Sequence, residues 1–313
     1  MDLKNGSVVT EFILLGFSVG WELQFVFLVT FSLIYGATVL GNVLIMVTVT
    51  FSSSLHSPMY FLLGNLSFLD MCLSTVTTPK IIRDLLTEHK VISMWGCMAQ
   101  MFFMHCFGGA EMTLLIAMAF DRYVAICKPL HYRTIMSHKL LKGFVILSWT
   151  IGFIHTMSQI VLTVNLPFCG PHIIDNIFCD LPLVIKLACM DTYTLELFVI
   201  ADSGLLSLIC FLLLLVSYTV ILLTVQQRSS GGLSKALSTL SAHITVVTLF
   251  FGPCIFIYAW PFSSFAGNKI LSVFYTVITP LLNPIIYTLR NEKMQEAMRK
   301  LWFQNASSTQ KKF

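Results

Sequence analysis

The sequence predicts an all-α membrane protein: a bundle of seven transmembrane helices, N-terminus outside, with a short amphipathic eighth helix inside. Three observations predict it. First, 56% of the 313 residues are hydrophobic and 11% charged, against about 25% charged in soluble domains, and the mean hydropathy is +0.82. Second, apolar stretches recur at Leu23–Val49, Pro58–Ile82, Ala99–Ile126, Leu141–Val164, Leu197–Val225, Ala236–Phe262 and Ile270–Leu289. Each is long enough to cross a hydrocarbon core that needs roughly 20 residues of helix. Third, the cations are lopsided. With the N-terminus outside, Lys4, Lys80, Arg83, Lys90, Lys186 and Lys269 lie outside and the rest of the 19 Lys and Arg lie inside, which is the positive-inside pattern. The spans are helices rather than barrel strands, because the runs lack the short alternation of strands.

Residues 1–22 form an outer segment of mixed composition, with no cleavable signal peptide expected; insertion of the first span is expected to target the chain. Asn5-Gly6-Ser7 is a glycosylation sequon on the outside, whereas Asn65-Leu66-Ser67 lies in a span and Asn305-Ala306-Ser307 inside. The bundle occupies 23–289. Its longest loop, about 165–196, is outside and carries Cys169, Cys179 and Cys189; Cys97 stands at the outer mouth of the third span. Four such cysteines allow two bridges in an oxidising compartment, and spacing alone does not give the pairing. Cys72, Cys106, Cys127, Cys210 and Cys254 fall in or beside spans and read as small apolar packing residues. In the cytoplasmic segment 290–313, Met294, Ala297, Met298, Leu301 and Trp302 share one helical face, flanked by Lys293, Arg299 and Lys300. This pattern predicts an amphipathic helix lying on the inner leaflet, which makes lipid a partner. The residues from Asn305 to Phe313 are polar and read as disordered. A net charge of +4 calls for no nucleic acid.

The sharpest local signal is MAFDRYVAIC at Met118–Cys127. Asp121 and Arg122 at the inner end of a span make sense as a switch, in which the Arg changes partner between two states; for a bare Asp-Arg pair a snorkelling Arg is the favoured reading. Gly41-Asn42, PMYFLLGNLSFLD at Pro58–Asp70, KALSTLSAHITVV at Lys235–Val247 and PLLNPIIYTLRN at Pro280–Asn291 stand in order around it. Together these blocks resemble the olfactory receptors among the rhodopsin-like G-protein-coupled receptors, over nearly the whole chain. The resemblance implies that Asp121, Arg122 and Tyr123 form the activation lock facing the G protein. It implies that Tyr218 and Tyr287 rearrange on activation and that Pro284, beside Asn283, kinks the seventh helix. It implies the bridges Cys97–Cys179 and Cys169–Cys189. Two positions depart from the pattern: Phe120 stands where Tyr is frequent, and Leu240 where the sixth-helix string usually has Cys.

Charge inside a membrane costs roughly 3 kcal/mol per residue on insertion scales and marks function. Asp70 and Glu111, with Asn283, match family positions that converge at mid-membrane, resembling a sodium or proton site; a neutral hydrogen-bond network is the alternative. No other cofactor or metal is expected, since His138, His155, His172 and His243 show no ligand spacing. Asp202, near the outer end of the fifth span, has three readings: it contacts the ligand and favours a donor or cation, it pairs with His105, or it sits at the rim.

Helical spacing sketches a ligand pocket. Counting back from Arg122, the inward face of the third span passes through Met112, Gly109, Gly108, His105 and Met104. The two glycines leave room for a small molecule or for close helix packing, and His105 bonds a ligand or is satisfied in the core. Phe251, Cys254, Ile255 and Tyr258 share a face of the sixth span, and Val273, Thr276 and Val277 a face of the seventh. The lining is apolar with a few polar points. The resemblance then implies a receptor, not an enzyme, for a small volatile odorant, acting through an olfactory stimulatory heterotrimeric G protein at the plasma membrane of olfactory cilia. A non-olfactory receptor is the rival, though Met104 stands where amine receptors place an acid. A transporter or channel would show repeats or a filter motif, and neither appears.

Overall fold

The computed structural model describes residues 9–228, 232–259, 267–289 and 291–301. Seven long helices cross in sequence: Trp21–Phe51, Pro58–Leu86, Met94–Cys127, His138–Thr163, a fifth from Tyr193 to Arg228, Gly232–Ala259, and a seventh from Asn268 to Leu289. Among the described residues six are long and apolar enough to span a membrane. The sixth adds a shorter apolar stretch, His243–Ala259, within its 28 residues. These are the first to seventh spans below. The helices overrun the apolar cores by several residues because their outer turns carry interfacial and polar side chains; the third reaches 34 residues.

Burial is inverted relative to a soluble protein. Leu33, Leu40, Ile146 and Val216 are exposed on the outside of the bundle, where lipid tails serve as solvent. Asn42, Asp70, Ser74, Thr77, Glu111 and Asn283 are buried inside it. The buried residues of the first span are Phe31, Thr38, Asn42, Ile45 and Thr48.

Small residues and prolines set the close approaches. A Cβ on Gly152 would lie 2.3 Å from the carbonyl oxygen of Cys106, and one on Gly109 3.1 Å from Gly152 Cα, so the third and fourth spans meet backbone to backbone. A Cβ on Gly204 would lie 2.6 Å from the carbonyl oxygen of Tyr258, which joins the fifth span to the sixth. Pro284 lacks the N–H that the carbonyl of Pro280 would accept in a helix. Asn42 Nδ2 donates to that carbonyl at 3.1 Å, and Gly41 leaves room for the Pro284 ring, 3.1 Å from where a Cβ would stand. The Gly41-Asn42 pair is thus the counterpart of the seventh-span kink.

Two helices are interrupted by π-turns, Ile200–Leu205 in the fifth span and Phe274–Ile278 in the seventh. Each inserts a residue and rotates the helix beyond it. After the seventh span, Asn291 caps the short helix Glu292–Arg299 by accepting from the Met294 N–H at 3.2 Å. Met294 and Ala297 are buried on its inner face. Leu301 closes this face, while Trp302, the tail and Asn5 lie outside the described residues.

The outer mouth has a roof. Strand β1, Glu11–Leu14, pairs antiparallel with β2, Val91–Ser93, and parallel with β3, Ile173–Ile174. The N-terminal segment is thereby woven into the first and second outer loops. Phe12 is fully buried against Phe168, with ring centroids 5.4 Å apart. Disulfides Cys97–Cys179 and Cys169–Cys189 hold the long loop.

Candidate functional site

Below the roof lies a cavity of about 30 Å³ between the second to seventh spans. It is lined by Met104, His105, Gly108, Gly109, Met112, Cys254 and Tyr258, as the helical spacing anticipates, and by Leu73, His155, Ser203, Leu206, Ser207, Phe250 and Tyr275. Space of this size holds about two waters, so an odorant enters only if the helices part. A Cβ on Gly108 would have nothing within 4 Å, whereas Gly109 lies against Gly152. The first glycine makes room and the second makes packing.

Six anticipated residues do not line the cavity: Asp202, Phe251, Ile255, Val273, Thr276 and Val277. In the seventh span the π-turn is the cause. It rotates Tyr275 inward and buries Thr276 and Val277 against other helices. In the sixth span the inward row is Phe250, Cys254 and Tyr258, at i, i+4 and i+8, which turns Ile255 about 100° away. Asp202 does not pair with His105. Its Oδ2 lies 3.0 Å from Nδ1 of His155 and accepts from Gln159 Nε2 at 2.8 Å. His155, Ser203 and Ser207 carry no periodic signal on strongly apolar helices, so spacing alone does not single them out.

The roof supplies a further residue that helical spacing does not reveal, Asp180. The Cys97–Cys179 bridge pins it over the cavity, and Cys179 N–H donates to Gln100 Oε1 at 2.9 Å. The Tyr258 hydroxyl donates to Asp180 Oδ1 at 3.2 Å and lies 3.3 Å from the Tyr275 hydroxyl. Burial pushes the Asp180 carboxyl up to about 6, because the charged form is poorly solvated there. Tyr258 thus links cavity, roof and seventh span.

At mid-membrane Asn283 Nδ2 donates to both oxygens of Asp70 at 2.9 Å. Glu111 is fully buried, and neither of its carboxyl oxygens has a hydrogen-bond partner; Asn283 Oδ1 is likewise unpartnered. Three unpaired oxygens beside a second carboxylate suit a hard cation or a shared proton. Among the described residues no group of three or more His, Cys, Asp and Glu is arranged for a metal ion.

At the inner end a cleft of about 730 Å³ is lined by Asp121, Arg122, Tyr132, Ser241, His243, Tyr287 and Asn291 among others. The Tyr132 hydroxyl, from the helical turn Tyr132–Ile135 of the inner loop, donates to Asp121 Oδ1 at 2.7 Å. Asp121 is therefore held by Tyr132, and the Arg122 Nε has no partner. Burial and the neighbouring Asp121 push the Tyr132 hydroxyl well above the usual tyrosine range. His243 Nδ1 lies 3.3 Å from the Tyr287 hydroxyl, tying the sixth span to the seventh. Tyr218 is buried with its hydroxyl unpaired, and Tyr123 is half-buried against the core. The Tyr60 hydroxyl donates to Asn291 Oδ1 at 2.9 Å. Phe120 packs edge-on to Phe144, 5.8 Å between centroids, and Leu240 is buried, so both departures from the family string fit the packing.

The arrangement is that of a receptor: a small cavity near one face, a cleft at the other, and helices, the third and sixth among them, in contact with both. Comparison with known proteins agrees. The family model described as olfactory receptor matches residues 31–305. Olfactory receptor 4L1 of Homo sapiens is 81% identical over 310 residues, 99% of each chain. Olfactory receptor 4K3 of Homo sapiens is 64% identical over 301 residues, 96% of each chain, and olfactory receptor 4K13 of Homo sapiens 64% over 300 residues, 96% of this chain and 99% of its own. The seven helices, the cavity, the inner cleft and these relatives together place the chain in the olfactory receptor family, as a multi-pass membrane protein with odorant receptor function.

Proposed function

We propose that this receptor takes small volatile, mostly apolar odorants into the cavity beneath Asp180 and activates an olfactory stimulatory G protein, raising cyclic AMP, at the plasma membrane of olfactory cilia. The observation that carries the reading is the sixth span. Its Phe250, Cys254 and Tyr258 wall the cavity, and its His243 holds Tyr287 at the cleft. A ligand that parts the helices around Cys254 and Tyr258 favours the arrangement with more room, which is a population shift. The same helix carries the change to His243 and Tyr287 and alters how Arg122 is presented to a G protein. Asp70, Glu111 and Asn283 are proposed to hold a sodium ion or a proton that biases the same equilibrium. The Asn283–Asp70 hydrogen bonds and the unpartnered oxygens of Glu111 and Asn283 support that role.

The test is cyclic AMP across a broad odorant panel in cells expressing the olfactory stimulatory G protein, beside Arg122→Ala. A ligand-dependent rise that Arg122→Ala loses at equal surface staining supports the reading. A rise that survives Arg122→Ala contradicts the role of the inner cleft.

A further inference from the structure

Asp202 sits in the π-turn of the fifth span, one residue before the cavity-lining Ser203. Its carboxylate is one layer behind the cavity wall. Oδ2 meets His155 Nδ1 at 3.0 Å, Gln159 Nε2 at 2.8 Å and Ser158 Oγ at 3.4 Å. Gln159 Nε2 also donates to Ser203 Oγ at 2.7 Å and lies 3.3 Å from Nε2 of His155, so its amide ties Asp202, Ser203 and His155 together. His155, by contrast, is in the wall, with its ring 6.1 Å from that of His105. His105 is more than nine-tenths buried in the same wall, and its Nε2 has no partner.

This placement decides the sign of the site. A carboxylate inside the cavity would favour a cationic ligand. Here the carboxylate accepts from Gln159 Nε2 and lies at ion-pair distance from His155 Nδ1. An imidazole ring lines the cavity and the carboxylate does not. No residue lining the cavity is Asp or Glu. An amine would therefore bring positive charge beside two imidazoles, while the nearest acids, Asp202 and Asp180, stand outside the lining and are engaged by Gln159 and Tyr258. A carbonyl or carboxylate oxygen would instead meet the unpartnered His105 nitrogen in its Nε2–H tautomer.

We propose that Asp202, acting through His155, sets the polarity of the cavity wall so that the receptor takes small ligands bearing a hydrogen-bond acceptor, a carbonyl or carboxylate, and rejects amines. Asp202 is a positioning residue in this scheme. The inference rests on the reading that the cavity is the odorant site.

The experiment uses the full-length receptor in lipid nanodiscs with ¹⁵N-labelled histidine rings. His105→Gln and His155→Gln assign the resonances. Octanal, octanoic acid and octylamine are titrated to millimolar concentration into the wild type, Asp202→Asn and Asp202→Glu. Octanal or octanoic acid is expected to shift the His105 resonance with an affinity at least about tenfold above that of octylamine. Asp202→Asn is expected to erase the wild-type His155 tautomer signature and cut that preference about tenfold, and Asp202→Glu to restore both. A preference for octylamine, no shift with any of the three, or an unchanged preference in a folded Asp202→Asn would overturn the proposal. If Asp202→Asn does not fold, the wild-type ranking of the three ligands decides. The readout needs no G protein. Shifts without cyclic AMP would sink the signalling reading and leave this one standing. A cyclic AMP response to octylamine in preference to octanal and octanoic acid would do the reverse.

Discussion

The outer cavity measures about 30 Å³ and the inner cleft about 730 Å³, although the third and sixth spans border both. The difference stems from what ties each end together. Outside, two disulfides, a three-stranded sheet, the Asp180–Tyr258 contact and the Lys269–Asp175 ion pair at 2.5 Å bind loops and helices into a roof. Inside, the helix ends are joined by single hydrogen bonds, such as Tyr132 to Asp121, Tyr60 to Asn291 and His243 to Tyr287. A covalently fixed roof cannot lift far, so a ligand makes room by moving helices beneath it. The movement has its freedom at the weakly tied inner end, the proposed G-protein face.

The largest effect that would break this contrast is loss of the roof's anchor. Cys97→Ser opens the bridge to Cys179 and is expected to cost about 2–5 kcal/mol, seen as near-complete loss of surface staining. Gly152→Val comes next. Its Cβ would meet the Cys106 carbonyl at 2.3 Å, a clash with backbone that cannot yield, and about 3 kcal/mol of destabilisation is expected in a thermal melt of purified receptor.

A pH titration of the roof gives a third, smaller effect. The Asp180 carboxyl is raised to about 6 in the folded receptor, above its unfolded value near 3.9. Its stabilising contribution is therefore complete below about pH 4 and is lost as pH rises through about 6. The melting temperature should fall between about pH 4.5 and pH 7, by the equivalent of about 2 kcal/mol, and Asp180→Asn should flatten that dependence. A wild-type curve already flat across the interval would contradict the burial of the acid.

The smallest expected effect lies at the inner end. Tyr132→Phe frees Asp121 to pair with Arg122. Basal and ligand-stimulated cyclic AMP are expected to drop by up to about tenfold, the scale of a hydrogen bond to a charged group, at unchanged surface level. A rise would reverse the assignment of Tyr132.

Much of this is legible in the sequence because membrane helices announce themselves by length and apolarity. The inward row of the third span, from Met104 to Met112, comes directly from 3.6-residue periodicity, since that helix is unbroken from Met94 to Cys127. The same arithmetic fails in the seventh span, where the π-turn Phe274–Ile278 puts Tyr275 rather than Thr276 and Val277 at the cavity. Nothing in the residue types there marks the extra residue. Asp202 is legible as an intramembrane acid but its direction is not, because that depends on His155 and Gln159 of another helix. Asp180 stands in plain view beside Cys179. Its reach to Tyr258 depends on a loop path fixed by long-range bridges, which spacing does not encode.

Gly108 is the residue at which to ask whether the outer cavity is the odorant site, because the space beside it is open and nothing packs there. The measurement is cyclic AMP potency in Gly108→Leu against the wild type, for an odorant that activates the wild type, with surface staining in parallel. Wild-type staining with potency reduced at least about tenfold is expected, since the new side chain occupies the room the ligand needs. Undiminished potency at normal staining would place the odorant elsewhere and contradict the assignment of this cavity.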